Sequence, residues 1–96
     1  MKIIIRNQAK IPAHYVRLIR LKIARLKRKF DHLIYAEVFL RKEGKSGKSY
    51  QANVRLGVPG NDLIIRNKSG DLPKLLQLLN QDSQRHLAKH KNRYRP

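Results

Sequence analysis

The sequence predicts an α+β fold: a two-layer sandwich in the order β-α-β-β-β-α, with a four-stranded sheet and two helices on one of its faces. Three observations carry this. Two stretches place apolar residues at a 3.6-residue period, and between them lie runs that alternate apolar and polar at a period of two. The breaks between runs are rich in Gly, Pro, Asn and Asp. Each helix has a single apolar stripe, so each needs one sheet face to cover it.

Lys2-Ile3-Ile4-Ile5-Arg6 is β-branched and reads as the first strand. Its three consecutive isoleucines predict burial on both faces and a central place in the sheet. Pro12 suits the first turn of a helix, where a missing N–H costs nothing. The first helix is expected over about Ala13–Lys29. Ile19, Ile23, Leu26 and Phe30 form its stripe, with Leu18 on the same side and Tyr15 extending it.

Leu33–Lys42 alternates, with Ile34, Ala36, Val38 and Leu40 on one face. Ser49–Val58 alternates again, with Tyr50, Ala52, Val54 and Leu56 together. The two runs predict an antiparallel hairpin. Pro59-Gly60-Asn61-Asp62 is a turn, and Leu63–Lys68 a short fourth strand. Ser69-Gly70-Asp71 offers capping chemistry before a second helix, with Pro73 in its first turn and Leu72, Leu75, Leu76 and Leu79 inward. That helix is followed toward Ala88, and the basic end is expected to fray from about residue 91.

The 96 residues are read as a single domain, 1–96. Charge is the feature that points to function. Twenty-three Lys and Arg stand against six Asp and Glu, a formal net charge of +17. No acid occurs from Met1 to Phe30. The first helix therefore accepts like-charge repulsion on its wet face instead of relieving it with i,i+4 pairs. Arg25, Lys22, Arg28 and Lys29 stand there, and Arg85, Lys89, His90, Lys91 and Arg93 cluster near the end of the second helix. Two helices on the same sheet face would bring both clusters into one basic groove. Such a surface fits a polyanion, nucleic acid before anionic membrane, recognised by shape and phosphate charge more than by base sequence.

The enzymatic motifs are weak. Gly47-Lys48-Ser49 has the tail of a phosphate-binding loop, but Lys42 stands where the first Gly is needed and a strand follows where a helix should. It is expected to be a hairpin loop. His86 and His90 have metal-like spacing, yet no Cys exists in the chain and Lys and Arg flank them. They are read as a solvated or RNA-facing pair, and no metal or cofactor is expected. Asp31-His32 reads as a turn and cap rather than an acid–base pair. No apolar run is long enough to span a bilayer. With no cysteine and no signal-peptide core, a cytoplasmic location is expected.

With these residues in place, the chain resembles the short ribosome hibernation factors, the family of hibernation promoting factor and ribosome-associated inhibitor A. The joint Ala24-Arg25-Leu26 with Phe30-Asp31-His32 carries part of the resemblance. The run Arg85-His86-Leu87-Ala88-Lys89-His90-Lys91, similar to the family's R-x-L-x-K-H-K, carries the more specific part. Lys22 and Arg25 match the family's first-helix lysines, and Arg85, Lys89, His90, Lys91 and Arg93 its C-terminal cluster. Two departures stand out. Lys27, Arg28 and Lys29 occupy a helix where the family usually carries acids. Asp71-Leu72-Pro73-Lys74 keeps only the first acid of the usual opening of the second helix.

The resemblance implies a non-enzymatic protein of the stress response. It would bind the rRNA of the small ribosomal subunit in the mRNA and tRNA channel and stop translation. A monomer without small-molecule substrate or membrane is implied, one that lacks the dimerising second domain of the long forms. The residues leave two alternatives open. One is a structural RNA-binding protein, either a ribosomal component or a double-stranded RNA binder. The other is a small basic ribonuclease using His32 or His90.

Overall fold

A computed structural model describes residues 1–43 and 48–94, with side chains as far as Asn92. The elements follow in the expected order. They are β1 (Lys2–Asn7), α1 (Ala13–Lys29), β2 (Tyr35–Glu43), β3 (Ser49–Val58), β4 (Asn61–Ser69) and α2 (Leu72–Tyr94). The sheet order is β1-β2-β3-β4. β1 runs parallel to β2, with Ile3 opposite Ala36 and Ile5 opposite Val38. A parallel pair needs a crossover, and α1 supplies it. The other two pairings are antiparallel, and Glu43 opposite Ser49 brackets the β2–β3 connection. The glycine-lysine-serine loop falls on residues 44–47 there, outside the described residues.

Alternation decides which face is which. Ala36, Val38 and Leu40 of β2, Ala52, Val54 and Leu56 of β3 and Ile65 of β4 are buried on one side. Ile19, Ile23 and Leu26 of α1 and Leu75, Leu76, Leu79 and Leu87 of α2 close over them. α1 packs on the β1 end of the sheet and α2 on β3 and β4. Among the described residues no helix covers the opposite sheet face.

Asn7 closes the β1–α1 connection. Its side-chain amide donates to the Ile11 carbonyl and its Oδ1 accepts from the Ile11 N–H, both at 3.0 Å. This replaces a side-chain N-cap, which Pro12 cannot provide. At the other end Lys27, Arg28 and Lys29 sit where the helix dipole favours cations. Lys27 Nζ donates to the carbonyls of Asp31 (2.6 Å) and Leu33 (2.8 Å). Lys27 is thus the clasp of the α1–β2 turn.

Four expectations are corrected. β1 is an edge strand, because its isoleucines divide: Ile3 and Ile5 pack on the core, while Ile4 joins the open face beside Glu37. Ile34 precedes β2 and is 57% exposed, its expected core place taken by Leu33 at 0%. Leu18 is exposed, because the buried stripe steps by four, three and four residues through Ile19, Ile23, Leu26 and Phe30 and leaves Leu18 on its flank. α2 does not stop near Ala88 but continues to Tyr94. Buried Leu87 and a His90 contact hold its last turns on the sheet.

Candidate nucleic-acid interface

The groove between the two helices is built from their facing edges. Lys22, Arg25 and Lys29 of α1 recur at spacings of three and four, which keeps them on the flank beside the buried stripe. Asn80 and Gln84 of α2 face them across a cleft of about 230 Å³ floored by Leu26. The cleft continues toward the C-terminal end as a wider section of about 420 Å³. There Lys29 and Gln84 are joined by Phe30, Arg85, Ala88, Lys91 and Asn92. Lys29 links the two sections. Its Nζ approaches Gln84 Oε1 at 3.4 Å and lies 5.7 Å from the centre of the Phe30 ring.

Five of the nine expected residues thus share one groove: Lys22, Arg25, Lys29, Arg85 and Lys91. Arg85 is partly drawn aside by Asp82 one turn earlier, at 2.8 Å. That pair is largely exposed, so its grip is weak. Among the described residues no acid lines the groove. Apart from Arg85, which Asp82 pairs, the nitrogen donors of the groove face the cleft with no carboxylate ion-paired to them, which suits phosphate oxygens.

The remaining four go elsewhere. Arg28 is exposed on α1 but does not line the cleft. Lys89 and His90 lie on the other flank of α2, with His86, against Asn61 and Leu63 at the start of β4. The Arg93 side chain lies outside the described side chains. Charge counting missed Asn80, Gln84 and Asn92, because neutral amides carry no charge signal. Their spacing of four and eight residues on α2 was the available clue.

His90 is committed to packing. Its ring stacks on His32, with centroids 5.2 Å apart and planes within 5°, and its Nε2 lies 3.2 Å from the Pro59 carbonyl. Its ring thus ties α2 to the α1–β2 turn and to the β3–β4 turn. Phe30 meets the His32 ring nearly at a right angle, with centroids 6.1 Å apart. His32 Nε2 is buried and has no hydrogen-bond partner among the described residues.

Burial holds the His32 pKa below the ordinary value of 6.5. The charge of His90 acts in the same direction, as do Lys91 and Lys27, while Asp31 opposes them. The unfolded chain therefore takes up this proton first as the pH falls. The stability tied to a neutral His32 is complete above pH 6.5 and is lost as the pH drops from there through the lowered folded value. Urea midpoints are expected to fall between pH 7.5 and pH 5. A His32→Phe variant, which keeps a ring against His90, should lose that part of the decline. An identical decline in the variant would locate the titration elsewhere.

No group of three or more His, Asp or Glu able to hold a metal occurs among the described residues. No helix among them is long and apolar enough to cross a membrane.

The fold has known counterparts. A ribosomal subunit interface protein from Coxiella burnetii superposes with a TM-score of 0.82 over 96% of this chain and 99% of its own, at 20% identity. The chain shares its fold. The N-terminal domain of Thermus thermophilus protein Y matches with a TM-score of 0.59 and 25% identity, covering 88% of this chain and 94% of that one. The architecture expected from the hibernation-factor resemblance is therefore present. No family model and no curated protein matches the sequence itself.

Proposed function

We propose that this protein is a short ribosome hibernation factor. It binds the small ribosomal subunit through ribosomal RNA, occupies the channel used by mRNA and tRNA, and so blocks translation. It acts in the cytoplasm as a single-domain monomer, without chemistry of its own. The acid-free groove between α1 and α2 is the observation that carries this reading, and the shared fold with a ribosomal subunit interface protein and with protein Y supports it.

Lys22, Arg25, Lys29, Arg85 and Lys91 would take the phosphates, with Asn80 and Gln84 donating to sugar and phosphate oxygens. Arg28, Lys89 and Arg93 would widen the footprint around the groove. Contact with about seven phosphates gives a log–log salt slope of about −5 to −6. The ribonuclease alternative would need two proton-transfer groups facing one open site, whereas His32 and His90 stack on each other.

Sedimentation of the protein with purified ribosomes tests the proposal. It is expected to ride with the small subunit at low salt and to be displaced by mRNA and tRNA together. Binding that persists through saturation with both would move the site out of the channel. A protein that stays at the top of the gradient would end the ribosomal reading.

A further inference from the structure

The open face of the sheet carries a second arrangement, on the side away from the groove. Strand register places Arg6, Phe39, Asn53 and Arg66 in one straight row across all four strands. A row of four strands is about 14 Å wide. In the adjacent row Ile4, Glu37, Arg55 and Ile64 lie side by side. Phe39, Asn53, Arg55, Ile64 and Arg66 surround a shallow cavity of about 240 Å³.

Three details make this a shaped site rather than a bare surface. Arg6 is held by Glu37 at 3.6 Å and lies 5.8 Å from the Phe39 ring centre, so the ring is braced from the β1 side and faces the cavity. Arg55 and Arg66 are exposed and have no ion-pair partner among the described residues. Asn53 Oδ1, beside the cavity, is buried without a hydrogen-bond partner among the described residues. A buried acceptor left unsatisfied is costly, and its presence marks a place for a donor.

We propose that this face is a second RNA site, which takes a single-stranded segment by stacking one base on Phe39 and holding the flanking phosphates with Arg55 and Arg66. Asn53 Oδ1 accepts from an N–H on the edge of the stacked base. Aromatic side chains on an antiparallel sheet stack bases in this way because every base has a π-face, so little sequence preference is expected. An acidic peptide would satisfy the guanidinium groups but brings no base π-face to stack on the Phe39 ring. The site does not depend on the groove or on ribosome binding, and each face can be disabled without the other.

The test is binding of a fluorescent uridine pentamer to the whole chain, with amide NMR to locate it. The amides of Phe39, Asn53, Arg55 and Arg66 are expected to shift. Phe39→Leu should weaken binding about tenfold with an unchanged salt slope, and Phe39→Tyr should bind as the parent does. Arg66→Gln should flatten the slope by about 0.7. In an Arg25→Ala, Lys29→Ala background the sheet-face signals should persist while ribosome sedimentation is weakened, so the two readings fail separately. Shifts confined to the helix groove, Phe39→Leu binding as tightly as the parent, or a sheet face occupied by a second copy in sedimentation equilibrium would each overturn the proposal.

Discussion

Replacing Arg25, Lys29 and Arg85 together by Ala is expected to lower ribosome affinity by about 10² to 10³ at 0.1 M salt. The estimate follows from counterion release. Each lost phosphate contact flattens the log–log salt slope by about 0.7 to 0.9, and over the decade below 1 M salt that is roughly five- to eightfold in affinity per side chain. The three residues line one cleft from both helices, so they are expected to act on the same stretch of RNA backbone. All three are exposed, and none belongs to the buried core. The fold should survive their loss, and shedding positive charge should even relieve self-repulsion. The readout is therefore affinity against salt, alongside a thermal melt that does not fall. A triple variant that binds with the parent's slope would remove the groove from the interface.

The second large effect concerns how the groove is held together. Leu87→Ala is expected to cost about 2 to 5 kcal/mol of folding stability. Leu87 is fully buried in the C-terminal half of α2, between the groove residues Arg85 and Lys91. A small protein has only about 5 to 15 kcal/mol in hand, so the substitution consumes a large share of it. Beyond Leu87, the described anchors of the last turns include the His90 contacts to Pro59 and His32. Removing the leucine should therefore loosen Arg85 and Lys91 relative to α1 before the rest of the fold opens. Hydrogen exchange should quicken first from Arg85 to Asn92, and ribosome affinity should fall although no charge has changed. A urea midpoint equivalent to less than 1 kcal/mol of loss would show that the helix end is secured by something other than this core contact.

Much of this arrangement could be read from local pattern. The bounds of α1 and β3 agree with those expected from periodicity, because both elements carry an uninterrupted apolar repeat between clear punctuation. The inward Leu75, Leu76 and Leu79 were legible for the same reason, with Leu72 partly buried at their edge. Local pattern failed where a residue's surroundings come from far along the chain. Three isoleucines in β1 look alike in sequence, and only the pairing with β2 divides them between the core and the open face. His90 looked like part of a basic tail, yet the ring that stacks on it is 58 positions away.

The sequence by itself determined the element order, the sidedness of both helices and of the β2–β3 hairpin, and the excess of positive charge. These depend on side-chain period and composition, which are properties of neighbouring residues. The tertiary structure alone decided which charges act together. It set Lys22, Arg25 and Lys29 opposite Asn80, Gln84 and Arg85, turned Lys89 and His90 to the other flank of α2, and spent Lys27 on closing a turn. It also aligned Arg6, Phe39, Asn53 and Arg66 into a row from four separate strands. The physical reason is that helix rotation and strand register are fixed by burial of the shared core, and the polar residues are then carried to wherever that packing places them.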